Sequence, residues 1–76
     1  MGNGDRVRIE VGFDGGQVIT GFVDGASADQ LERALHEDGP RVVVLELEDG
    51  RYHIVVPLVA YFRRFSRASR VGFAAG

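Results

Sequence analysis

The chain has 76 residues, no cysteine and a formal net charge of −2. That length allows one domain, and the missing thiols exclude a disulfide framework and a thiolate metal site. No apolar run approaches the roughly 20 residues of a membrane span and no charged-then-apolar leader opens the chain, so a cytoplasmic protein without membrane contact is expected.

With 45% apolar and 26% charged residues the composition is that of a globular domain. A core this small supplies only about 3–5 kcal/mol, so association with further copies is the expected remedy, a homo-oligomer with a dimer favoured. The net charge conceals a split. Residues 24–49 carry eight acids against two arginines, whereas residues 51–76 carry five arginines and no acid. Such asymmetry governs what a surface meets, an acidic partner or a copy of itself, and not the fold.

Residues 1–5 read as a disordered start to a single domain over 6–73, with a tail at 74–76. From Arg6, residues Val7, Ile9, Val11 and Phe13 alternate with Arg6, Arg8 and Glu10, the period of a half-buried strand. Asp14-Gly15-Gly16 supplies a hairpin turn, and Gln17–Val23 returns as a second strand. Either two-residue loop puts Val18, Thr20 and Phe22 on the apolar face. After Asp24-Gly25-Ala26, Ser27 and Gln30 fit a capping box. Ala28, Leu31, Ala34 and Leu35 then recur at helical spacing, and Gly39-Pro40 ends the helix.

Arg41–Glu48 and Arg51–Val56 form a second hairpin around Asp49-Gly50, a type I′ signature. That turn sets Leu47 against Tyr52, Leu45 against Ile54 and Val43 against Val56, with Glu48–Arg51, Glu46–His53 and Val44–Val55 on the other face. Pro57 interrupts. Leu58–Phe65 reads as a further strand, with a helix as the alternative, and Val71-Gly72-Phe73 as a brief edge strand. The order strand, strand, helix, strand, strand, strand with short connections predicts an α+β fold, a small antiparallel sheet with one amphipathic helix on one face. Its inner face is expected to hold Val7, Ile9, Val11, Phe22, Leu31, Leu35, Val43, Leu45, Leu47 and Ile54.

Catalytic chemistry finds little support. Nucleophilic catalysis needs an activated side chain beside an oriented base. Lysine and cysteine are absent, and neither histidine neighbours a serine motif. His36 suits the negative end of the helix dipole. His53 opposite Glu46 has the form of a base and its orienter, yet reads more simply as a surface pair. No histidine and acid spacing describes a closed metal site. Asp14-Gly15-Gly16 opens onto a strand and not a helix N-terminus, so it is no phosphate loop. We expect no enzyme activity, no metal and no cofactor.

Two features point to binding. Arg63, Arg64, Arg67 and Arg70 fall within eight residues, with Phe62, Phe65 and Phe73 interleaved. Guanidinium groups with aromatic faces suit nucleic acid, although a contact with an acidic neighbouring subunit and a plain solvated face are alternatives. Val42, Val44 and Val55 share the non-core side of the second hairpin beside charged residues, a candidate subunit interface. The alternative is burial of these valines under the C-terminal strand.

The C-terminal half carries Leu45–Arg51, Val55-Val56-Pro57, Ala60-Tyr61 and Arg70-Val71-Gly72-Phe73 with Gly76. In these pieces it resembles a family of small actinobacterial proteins filed as a domain of unknown function. That resemblance implies a small α+β cytoplasmic protein with no established catalytic residues. The stretch Phe13-Asp14-Gly15-Gly16-Gln17-Val18-Ile19-Thr20-Gly21-Phe22 is similar to the first motif of Sm-like barrels, which implies an oligomeric RNA-binding protein. The expectation from the residues is a non-catalytic interaction or assembly module, with nucleic-acid binding as the alternative.

Overall fold

In the computed structural model, residues 6–37 and 39–66 are described. Arg67, Arg70, the strand expected at Val71–Phe73 and both chain ends lie outside them. The expected element order holds. Strands β1 (Arg6–Phe13) and β2 (Val18–Asp24) precede helix α1 (Gly25–His36). Strands β3 (Val42–Leu47) and β4 (Gly50–Val55), a 3-10 turn (Val56–Leu58) and β5 (Val59–Arg64) follow. The fold is α+β and antiparallel. Its strands divide into a three-stranded sheet, β2-β1-β5, and a two-stranded sheet, β3-β4.

The first hairpin closes differently from the expectation. The Phe13 N–H donates to the Gln17 carbonyl at 2.9 Å, and the Gly16 N–H donates to the Phe13 carbonyl at 2.8 Å. This is a three-residue loop over Asp14, Gly15 and Gly16, with Gly16 at φ +92° in the left-handed region that closes such loops. One residue more than the expected loop turns every β2 side chain over. Val23, Gly21 and Ile19 therefore stand opposite Val7, Ile9 and Val11. Val23 joins the core, while Phe22, expected inside, is 43% exposed.

The second hairpin is shifted by two residues. Its pairs are Leu47–Gly50, Glu46–Arg51, Leu45–Tyr52, Val44–His53, Val43–Ile54 and Val42–Val55. Glu48 and Asp49 are the turn, and neither has a positive φ, so the turn is not type I′, which needs one at both central residues. Gly50, at φ +152°, takes the conformation that side-chain-bearing residues avoid. A shift of two keeps each side chain on its face, so the inner set Val43, Leu45, Leu47 and Ile54 survives the correction.

The helix begins two residues before Ser27. Asp24 ends β2 in extended geometry and is itself the N-cap residue, so no capping box forms. Its carboxylate turns to Arg6, 3.9 Å away, and the Arg6 guanidinium also donates to the Phe22 carbonyl at 2.8 Å. At the other end, Glu37 is already extended and its N–H donates to the Arg33 carbonyl, so the helix stops before Gly39-Pro40.

Ala28, Leu31 and Ala34 of α1 close the core over Ile9, Val11 and Val23 of one sheet and Val43, Leu45, Leu47 and Ile54 of the other. Val7, Leu35, Phe13, Ile19 and Phe62 pack around its rim. Burying a Leu or Ile side chain here is worth roughly 1.5–3 kcal/mol.

Candidate functional site

The two sheets each turn one face inward, which leaves two outer faces. On β3-β4 that face is built from three cross-strand pairs: Val42 with Val55, Val44 with His53, and Glu46 with Arg51. Val42, Val44 and Val55 are 47%, 39% and 39% exposed. Strand β5 does not cover them, because it pairs with β1 in the other sheet; the strand expected at Val71–Phe73 lies outside the described residues. The far end is charged, with Arg51 Nε 3.0 Å from Glu46 Oε2. His53, expected opposite Glu46, faces Val44, so the base-and-orienter arrangement does not form.

A groove of about 460 Å³ runs beside this face, between β3 and the C-terminal half of α1. Val42, Val43 and Val44 form one wall, and Gln30, Arg33 and Glu37 form the other. Near the hairpin tip, β3 instead lies against β2. A Cβ on Gly21 would stand 2.7 Å from Leu47 Cδ2, and the Phe22 N–H points at the Glu48 carboxylate over a long 3.5 Å.

The outer face of β2-β1-β5 is a second surface, and sequence reasoning missed most of it. Its rows across the sheet are Phe22–Arg8–Phe65, Thr20–Glu10–Arg63 and Val18–Gly12–Tyr61. The Phe65 ring takes the Arg63 guanidinium at 4.1 Å and that of Arg8 at 4.7 Å, both within cation–π range. Among the described residues no acid lies within ion-pair distance of either arginine. The Tyr61 hydroxyl donates to Glu10. That hydrogen bond, with some burial and the Glu10 charge, raises the Tyr61 pKa above its usual 10.0, against a smaller pull from Arg63.

Arg63 and Arg64 point to opposite sides of β5, as strand alternation requires. Arg64 stands opposite Ile9 on the inner side and reaches over to α1, with Nη1 2.8 Å from Asp29 and 2.9 Å from Glu32. Hydrogen bonding to Asp29 raises its pKa further, against a smaller desolvation effect. The arginine cluster of the sequence is thus split. Arg63 joins Arg8 and Phe65 on the outer face, and Arg64 is tied to its own helix. No signal in the sequence could have linked Arg8 to Phe65, because their proximity depends on β1–β5 pairing.

Among the described residues no group of histidines and acids could hold a metal ion, and no helix is long and apolar enough to cross a membrane. No family model, no curated protein and no solved structure matches this chain.

Proposed function

We propose that this chain is a non-catalytic assembly module that binds copies of itself, a dimer being the favoured form, through the outer side of β3-β4. The exposure of Val42, Val44 and Val55 side by side, rimmed by the Glu46–Arg51 ion pair, carries this reading. An apolar patch with a charged rim is the anatomy of an interface. Arg67 and Arg70, with the arginine-rich end of the chain, would select an acidic partner and its orientation more than add affinity. Both resemblances noted in the sequence, to a small actinobacterial family and to oligomeric Sm-like barrels, are compatible with such a role.

The test is solution mass by light scattering after size exclusion, at low salt and at about 0.5 M salt, where exposed charge contacts are screened. A dimer that persists at high salt supports an apolar seam. A monomer at both salts overturns the reading.

The outer face of β2-β1-β5 favours a second reading, binding of a single-stranded nucleic acid. Arg8 and Arg63, which no described acid pairs, hold positive charge against Phe65, with Phe22 and Tyr61 as further aromatic faces. Backbone neutralisation with base stacking is how single strands are bound without sequence preference. This reading requires affinity for an oligonucleotide that falls with salt, by a log–log slope of about 0.7 per neutralised phosphate. It also requires that Arg8→Gln and Phe65→Ala weaken binding while Arg64→Gln does not.

A further inference from the structure

The described strands leave four sheet edges, and among the described residues three of them are guarded. At β2 the outward N–H of Phe22 faces the Glu48 carboxylate. The free side of β4 presents Arg51 and His53, charged or polar residues of the kind that discourage strand addition. At β5, Arg64 crosses to Asp29 and Glu32 of α1, and the strand's register with β1 shifts at Gly12/Phe13. The β3 edge at Val42–Val44 has none of these. It is a β-branched run without charge, proline or bulge, and the 460 Å³ groove lies along it. An edge of this kind calls for a strand to pair with it.

The hydrogen-bond phase along β3 says which groups are available. The Val56 N–H donates to the Arg41 carbonyl at 2.8 Å, so Arg41 and Val56 are a bonded pair. Bonded and non-bonded pairs alternate along an antiparallel ladder, so Val43 and Leu45 bond to β4 while Val42 and Val44 turn their N–H and C=O groups outward.

We infer that the occupant of this edge is β3 of a second copy, running antiparallel across a two-fold axis at Val43. This inference rests on the reading that the chain binds copies of itself, and places the contact at the β3 edge beside the outer valine face and not on that face. In that register Val42 bonds with Val44 of the partner subunit, and Val44 with Val42 of the partner subunit. The valines of the two copies then form one apolar stripe across a β4-β3-β3-β4 sheet. The same axis sets the two α1 helices antiparallel on the inner side. Arg33 and Glu37 lie one turn apart on the wall of the groove, and no described residue forms an ion pair with either. Antiparallel helices bring Arg33 of one copy toward Glu37 of the other, so the charges are self-complementary.

Three measurements test the seam. Raising the protein concentration through the association transition should slow amide hydrogen exchange at Val42 and Val44 by at least about tenfold, since these groups pass from solvent into a ladder. Val44→Pro removes an outward N–H without touching the β3–β4 ladder, and its demand for extended geometry at Val43 is already met. It should weaken the dimer at least about tenfold, the equivalent of about 1.4 kcal/mol. Arg33→Glu and Glu37→Arg should each weaken association, and the double swap should restore it.

A dimer whose Val42 and Val44 amides exchange as fast as in the monomer overturns the β3 seam and leaves the assembly reading standing. So does a dimer that Val44→Pro, shown to be folded, does not weaken. If Val44→Pro fails to fold, exchange in the wild-type protein decides. A monomer at every concentration overturns both.

Discussion

The ring of Tyr61 fills the space over Gly12, its partner on the neighbouring strand. A Cβ at position 12 would overlap Cε2 of Tyr61. The glycine is buried although it lies on the outer face of its sheet, because the tyrosine takes the place of the side chain it lacks. The ring is then held by the bond from its hydroxyl to Glu10, one row away.

Gly12→Ala therefore forces the ring aside and should destabilise the protein by about 1–3 kcal/mol, the usual range for overpacking. In a Tyr61→Ala background the same change should cost much less. Denaturant unfolding of the four proteins gives the coupling directly. Equal costs in both backgrounds would mean that the ring does not cover the glycine.

Arg64 and Arg63 should behave differently despite being neighbours. Arg64→Gln loses two ion pairs to α1 that are partly exposed, each worth about 0.2–1 kcal/mol, so a loss near 1 kcal/mol is expected. Much of that loss should vanish at about 0.5 M salt, where exposed pairs are screened. Arg63→Gln, which gives up only a stacking contact, should change stability by less than about 0.5 kcal/mol. Thermal unfolding at the two salt concentrations separates them.

Both tyrosines should titrate above the ordinary phenol value. Tyr61 is raised chiefly by its bond to Glu10, and Tyr52 chiefly by its bond to Asp49 at 2.9 Å. The protonated phenol is the form that donates, so the folded pKa exceeds the unfolded one near 10.0. The stabilisation is complete below the unfolded pKa and is lost as pH rises through the folded one. Phenolate absorbance should rise later in the folded protein than after unfolding. The fall in stability above pH 10 should be shallower in Tyr61→Phe and Tyr52→Phe.

The two glycines of the first loop should part company. Gly16, at φ +92°, should lose about 1 kcal/mol on substitution by alanine. Gly15 has no positive φ, and its nearest obstacle is Gln17 Oε1 at 3.9 Å. Gly15→Ala should be neutral or stabilise by about 0.4–1 kcal/mol through the unfolded chain. Urea midpoints of the two variants make the comparison.

Much of the candidate site was legible because its signals are local. Val42, Val44 and Val55 could be assigned to an outer face from alternation alone, and the two-residue error in hairpin register left that assignment intact. The same error misplaced His53 by one pair, enough to suggest a partnership with Glu46 that the structure lacks. In the first hairpin the turn residues Asp14-Gly15-Gly16 admit loops of two or three residues, and here the error was by one. One residue reverses a face, which is why Phe22 was expected inside and Val23 was missed.

By itself, then, the sequence determined the elements, their order, the helix's buried stripe and the inner face of β3-β4. Each follows from the spacing of apolar residues within about ten positions, where side-chain period and backbone geometry are coupled directly. Only the tertiary structure decided that β5 closes against β1 and that Arg64 turns to α1 while Arg63 meets Phe65. It likewise decided that no other described strand pairs with the free edge of β3 at Val42–Val44. These outcomes depend on contacts between residues some fifty positions apart, such as Gly12 and Tyr61. No local pattern specifies such a contact, because packing of the whole chain selects it from pairings that are locally equivalent.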